Sequence, residues 1–262
     1  MKTNLLKIFV FLFTFGLLLT SCDVDLSNPE VDDETVLDNA LGERAVGDVF
    51  GMVNAGATSV KANGSCGDFS FNGIDNTLTI TFPADGCEGA DGVTRSGVIH
   101  AQYIGTWLQV GSSVEITFDN YKQDGKELSG TITVLFTSGG TQPVFNMTAS
   151  NMSLTYSDGG QITWGSSNTY TWTAGVLTPF DRSDDSYTIS GVTEGVARNG
   201  NEYRRVATEL MKSPACKWFT AGNILLTVTE GTKSSIYDIT FKEPCGTVTI
   251  VFNGISFTRT FD

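Results

Sequence analysis

The sequence predicts a mainly β protein, an up-and-down antiparallel meander built as a curved large sheet or a two-sheet sandwich, with one N-terminal helix. Three observations carry this. Apolar and polar residues alternate with period two in segment after segment, as half-buried strands require. Between them stand Asp124-Gly125, Gly139-Gly140, Asp158-Gly159-Gly160, Asn199-Gly200 and Asn253-Gly254, which supply the positive φ of tight hairpins. Only one stretch, before Gly56, has helical spacing.

The chain begins with Lys2 and Lys7, continues in an apolar run from Ile8 to Leu19, and reaches Leu19-Thr20-Ser21-Cys22. The run is too short to span a bilayer as a mature helix and reads as an export signal, residues 1–21. Leu-Thr-Ser-Cys resembles the lipobox of bacterial lipoproteins. That resemblance implies cleavage before Cys22 and acylation of this residue, so the implied partner is a membrane, held through acyl chains. Residues 22–33 read as an acidic tether containing Asp23, Asp25, Glu30, Asp32 and Asp33. Acids just after such a cysteine mark surface export in Bacteroidota lipoproteins; here Val24 and Leu26 interrupt the run. The expected location is the cell envelope, at the outer membrane and on its surface or periplasmic side. Without the two signal lysines the chain has 14 basic and 29 acidic residues, a net charge of −15. Such a surface excludes nucleic acid and anionic lipid headgroups as partners.

From residue 34 to 262 the chain reads as one β-rich domain with a helix at 34–55. Leu37, Leu41, Ala45, Val49 and Val53 recur four apart, and Asp33 is the expected cap. Gly42, Gly47 and Gly51 weaken that helix. Strands follow where Leu78, Ile80 and Phe82 alternate with Thr77, Thr79 and Thr81, and likewise around Val114–Phe118, Ile132–Phe136 and Val248–Phe252. Roughly a dozen strands result, and a sheet that wide must curl, close or split. Trp164, Tyr170 and Trp172 share one parity. The opposite parity, Gly165, Ser167, Thr169, Thr171 and Thr173, cannot build a core, so the aromatic stripe faces inward.

Of five cysteines, lipidation at Cys22 leaves Cys66, Cys87, Cys216 and Cys245. No C-x-x-C spacing points to zinc or redox work, and an exported compartment permits disulfides. Cys66-Gly67-Asp68-Phe69-Ser70 matches Cys216-Lys217-Trp218-Phe219-Thr220, and Ile80-Thr81-Phe82 before Cys87 matches Ile239-Thr240-Phe241 before Cys245. Each block reads as a hairpin whose outer ends meet, either an internal duplication or two convergent hairpins. The expected pairs are Cys66–Cys87 and Cys216–Cys245.

Asp91-Gly92-Val93-Thr94-Arg95-Ser96-Gly97, Ile162-Thr163-Trp164, Arg198-Asn199-Gly200, Cys216-Lys217-Trp218 and Cys245 together resemble a group of uncharacterised Bacteroidota lipoproteins with a lipobox signal and a repeated-cysteine β-meander domain. The likeness covers most of residues 60–255. It implies a fold and no activity. Where that group often has an Asp-Gly turn before its last cysteine, this chain has Lys242-Glu243-Pro244.

Chemistry is scarce. The single histidine, His100, shares its strand with Ile99, Ala101 and Tyr103, which places it on the opposite, solvated face. Histidine-based zinc sites, triads and Cys-His pairs are thereby excluded. Asp85, Glu88 and Asp91 form one acidic loop and Asp181, Asp184 and Asp185 another. Neither fits a calcium-binding loop, and the expectation is solvated turns, with no catalytic residue, metal or cofactor. The functional expectation is a non-catalytic structural or interaction module of the envelope, with a protein or glycan partner that no motif specifies. The alternative is a binder or carrier of an apolar or glycan ligand in a concave sheet, with the helix as a lid.

Overall fold

The alternating segments become thirteen antiparallel strands in one sheet, each paired with its neighbours in sequence. The computed structural model describes residues 31–56, 66–89, 91–178 and 182–261. In chain order these form helix α1 (Asp33–Gly56) and strands β1 (Asp68–Asn72), β2 (Thr77–Glu88), β3 (Thr94–Ile104), β4 (Ser113–Gln123), β5 (Lys126–Ser138), β6 (Val144–Thr155), β7 (Gln161–Ala174), β8 (Ser186–Val196), β9 (Glu202–Lys212), β10 (Phe219–Glu230), β11 (Lys233–Lys242), β12 (Thr247–Phe252) and β13 (Ile255–Thr260). The fold is the predicted meander, realised as one open sheet. The first and last strands do not pair. Because the strand number is odd, β1 and β13 run in the same direction, and closing the sheet would need a parallel pair in an otherwise antiparallel ladder.

The sheet curls around α1. Of the helix's 24 residues, 19 are buried, and its side chains reach partners from β3 to β13. A helix buried on all sides ordinarily carries apolar residues all round; this one also buries Asp38, Asn39, Glu43, Arg44, Asp48 and Asn54. Its glycines, which weaken the sequence-based expectation, permit close approach. A Cβ on Gly42 would lie 3.3 Å from the Trp164 ring, and one on Gly56 would lie 2.6 Å from Leu78. The cap is one residue earlier than expected. Asp32 Oδ1 accepts from the Thr35 amide at 2.9 Å and its Oδ2 from the Thr35 hydroxyl, while Asp33 opens the first turn and pairs with Arg259 of β13 at 3.0 Å. The reason is geometric: the cap oxygen must reach the amide three residues on.

Bending is built into the strands. Gly97 interrupts the β3–β4 register with a φ of 85°, facing Asn120 with a φ of 48°, and a Cβ there would fall 2.2 Å from the Asn120 carbonyl oxygen. Gly222 repeats the arrangement against Glu209, in β10 and β9. Such bulges kink a strand and raise its twist, so the sheet can wrap.

Both disulfides form as expected, with Cα atoms 5.6 Å apart for Cys66–Cys87 and 5.7 Å for Cys216–Cys245. Each closes the open end of a hairpin, β1–β2 or β10–β11, and loops of this length contribute about 3 kcal/mol. The two blocks start nine strands apart, so their hairpins point in opposite directions and their disulfides sit at opposite ends of the sheet. Their registers also differ. Phe69 pairs directly with Ile80, whereas the β10–β11 ladder begins at Gly222↔Phe241, beyond Phe219.

Phe50 of α1 is the centre of the apolar core. Its ring makes edge contacts with Phe145, Tyr170 and Tyr187 at 5.1, 5.4 and 5.5 Å. Phe50→Ala is expected to lower unfolding free energy by about 3–5 kcal/mol, measured by urea denaturation of the oxidised protein.

Candidate functional site

Inward-facing positions of the sheet are apolar on one flank and polar in the middle. One cross-strand row runs Leu78, Ala101, Ile116, Ile132 and Ala149 over β2–β6. The same row continues as Ser166, Thr193 and Arg205 over β7–β9 and returns to Leu226 on β10. Asn168 lies two residues from Ser166, on the same face. This polar island receives Glu43. Its carboxylate accepts from Thr193 Oγ1 at 2.5 Å and Asn168 Nδ2 at 3.2 Å, and pairs with Arg205 Nη2 at 3.1 Å. Glu43 and Arg205 side chains are 1% and 0% exposed, so both charges are out of water. Among the described residues, Arg205 Nε and Nη1, the Ser166 hydroxyl and the Tyr170 hydroxyl have no hydrogen-bond partner.

A second ionic cluster lies five residues further along the helix, at Asp48, about 1.4 turns on. Asp48 pairs with Arg95 Nη2 at 2.5 Å and accepts from Gln123 Nε2 at 2.9 Å; the Tyr121 hydroxyl bonds the same Gln123 nitrogen. Arg95 also takes Asp91 at 2.5 Å. Burial works against the Arg95 charge, but Asp48 and Asp91 together hold its pKa above the ordinary arginine value. Nearer the helix start, Asp38 accepts from Arg198 and from the Tyr156 hydroxyl, each at 3.0 Å. Arg44 reaches Asp124 in the β4–β5 turn at 2.7 Å and stacks over Trp218 at 5.0 Å. At the far end, Asn54 joins the Tyr187 hydroxyl and the Trp107 indole N–H. At the near end, Asn199 and Asn201 donate to Asp32. Burial opposes the Asp32 charge, yet hydrogen bonds from Thr35, Asn201 and Asn199 hold its carboxyl below the usual range.

The candidate residues from sequence are distributed as follows. Cys22 lies outside the described residues, as does Asp181. His100 is exposed on the outer face, where it lines a shallow hollow with Thr79, Gln102, Glu115 and Thr117. Trp164, Tyr170 and Trp172 are buried, as their parity implies. The acidic loops need correction. Asp91 is no solvated tip but a partner of buried Arg95, and buried Asp185 accepts from the Trp172 indole at 3.0 Å. In each case a nearby buried donor requires an acceptor. Among the described residues no group of three or more His, Cys, Asp or Glu side chains is arranged to hold a metal ion, and no helix is long and apolar enough to cross a membrane. Sequence reasoning missed Glu43, Asp48 and Arg205. The available signal was parity: Arg205 alternates in phase with Tyr203 and Ala207, on the face that must be buried.

Comparison with protein-family models, curated proteins and solved structures finds no match.

The ionic clusters consume their own chemistry, since each carboxylate is bonded to a cation or to several donors. Glu43→Leu alone is expected to cost about 3–5 kcal/mol by stranding the Arg205 charge, and Glu43→Leu with Arg205→Met to recover most of that loss. A double-mutant cycle by denaturant unfolding measures it.

Five of the seven tyrosines, Tyr103, Tyr121, Tyr156, Tyr170 and Tyr203, have pKa values raised, in every case first by burial and for all but Tyr103 also by a neighbouring carboxylate. Below about pH 10 they are neutral whether the chain is folded or not. Above it the unfolded chain releases protons that the folded protein retains, so stability is complete below pH 10 and declines as pH rises toward the folded values. Tyrosinate absorbance from these residues should therefore appear together with loss of the β-sheet circular dichroism signal.

Proposed function

We propose that the chain is a membrane-anchored lipoprotein of the cell envelope, similar to the Bacteroidota group named above, whose β-domain is a non-catalytic structural or interaction module. The observation that carries the second half is the helix seated in the concave face of the sheet. The concave face that a carrier would offer to a ligand is occupied by α1, and Phe50, Val46, Val49 and Val53 of that helix are among the most buried side chains of the core. A lid is expected to rest on its cavity through an apolar face that can part from it; α1 is instead tied by buried ion pairs around its circumference, at Asp38, Glu43 and Asp48. The helix carboxylates Asp38, Glu43 and Asp48 are each held by an arginine, an arrangement that suits a structural role better than general acid–base chemistry.

The anchoring half rests on Lys2, Lys7, the apolar run and Leu19-Thr20-Ser21-Cys22. Acylation at Cys22 and attachment to the outer membrane follow from that pattern, and two or three acyl chains would make the attachment stable. Mass spectrometry of the mature N-terminus is the test. The expected first residue is Cys22 carrying acyl groups, and Cys22→Ala should accumulate an uncleaved, unlipidated chain. An unmodified N-terminus, or cleavage at another position, would overturn the anchor without touching the reading of the β-domain.

A further inference from the structure

The final strand is an unprotected sheet edge. Just after β13 the Phe261 amide donates to the Gly246 carbonyl at 2.9 Å, which continues the β12–β13 ladder. Hydrogen bonding in an antiparallel ladder alternates, so Phe257 and Arg259 turn their backbone groups toward β12, while Ser256, Thr258 and Thr260 turn theirs outward. Among the described residues no strand pairs with that outward side; the Thr258 carbonyl accepts a 3.4 Å hydrogen bond from its neighbour Arg259 Nη1, which a pairing strand would displace. Natural edges are blunted by proline, lysine, bulges or charge. Strand β13, Ile-Ser-Phe-Thr-Arg-Thr, has no proline, lysine or acid, and its register with β12 is unbroken. The opposite edge is shorter, five residues, opens with Asp68 and adjoins the Cys66–Cys87 disulfide.

We infer that β13 is a self-association edge, which pairs antiparallel with β13 of a second copy about a twofold axis. Three observations select a second copy. The strand is complementary to itself: with Phe257 opposite Phe257, Ser256 and Thr258 exchange their outward N–H and C=O groups, and inward-facing residues stay on the inward face of both sheets. The inward face at this edge is incompletely covered, with Ile255 42% exposed and Phe257 only partly buried, so pairing removes apolar surface from water as well as satisfying backbone groups. Charge also permits it. In a chain of net charge −13, β13 carries no acid, and its one cation, Arg259, is matched by Asp33 of its own copy. In this register the two Arg259 side chains start four residues apart across the axis, about 13 Å by strand rise, where exposed charges are largely screened.

Sedimentation equilibrium of the full-length chain in density-matched detergent tests this. The expected result is a monomer–dimer equilibrium that Thr258→Pro weakens at least tenfold, with circular dichroism and thermal midpoint unchanged. Proline removes one outward N–H and no bond to β12. Amide exchange of the unaltered chain is the second readout: Ser256 and Thr258 should gain protection as concentration rises. A monomer at all concentrations overturns the inference, as does a dimer indifferent to Thr258→Pro. Protection of those amides that does not depend on concentration assigns the edge to another segment of the same chain, and overturns it too.

Discussion

The structure depends on a helix whose charges are buried on several sides at once. Asp38, Glu43 and Asp48 are spaced five residues apart, and each step of five rotates a side chain by about 140° around the helix axis. No single flat surface could face all three. A sheet that surrounds the helix can, and here it offers Arg198 at the β8–β9 turn, Arg205 on β9 and Arg95 on β3. Removing such charges from water costs several kcal/mol each, which their partners offset only in good geometry. The energetic return is modest, but the geometric consequence is large. Sliding α1 by one turn, or rotating it by one residue, would strand an acid and an arginine in the core. Helix position, sheet curvature and strand register are therefore fixed together.

That interlock accounts for the other unusual features of the sheet. Thirteen strands are too many for a flat or gently twisted layer. The sheet bends at bulges such as Gly97 and Gly222, where a side chain would meet the neighbouring backbone, and the enclosed helix supplies the surface against which the bend packs. Arg44 belongs to both halves of the fold, since it joins the β4–β5 turn through Asp124 and the start of β10 through Trp218. The odd strand count then leaves two like-directed edges that cannot be joined by the antiparallel rule. One is adjoined by a disulfide, and the other, β13, has no partner strand among the described residues.

The fold was largely legible in the sequence because its signals are local. Alternation in Leu78–Phe82 or Val248–Phe252 needs no knowledge of partners, and Asn-Gly and Asp-Gly turns set hairpin lengths directly. The disulfides were legible because each closes a hairpin and so depends on neighbours in sequence. What escaped is non-local. The burial of Glu43 and Asp48 follows from strand residues 150 and 47 positions away, and a charge on a helix ordinarily reads as a solvated face. The difference between one curled sheet and a two-sheet sandwich turned on glycine bulges, whose partner residues Asn120 and Glu209 have no distinguishing sequence signal. Several of the motif residues singled out in the sequence acquire a common meaning here. Arg95, Trp164, Arg198, Asn199 and Trp218 all touch α1 or its cap. They are the residues through which the sheet receives its helix.

This distribution constrains where recognition can occur. Inside, Asp38, Glu43 and Asp48 are each held by an arginine, while among the described residues Arg205 keeps two unpartnered nitrogens, and the concave face is occupied by α1. Outside, one continuous row crosses the sheet from Thr77 on β2 to Ser256 on β13. Its central members, Thr133, Thr148 and Ser167, are exposed hydroxyls, and its later members include Leu225 and Val251, 44% and 38% exposed. The row also carries the acids Glu115 and Asp238, so its uncharged stretch runs from Thr133 on β5 to Leu225 on β10, and low charge is what allows close approach between like-charged molecules. Leu225 on β10 and Val251 on β12 flank Asp238 on β11, and Ser256 ends the row on β13, whose outer side is unpaired among the described residues. Contact there requires no movement of α1, and the interior can stay closed while the exterior engages.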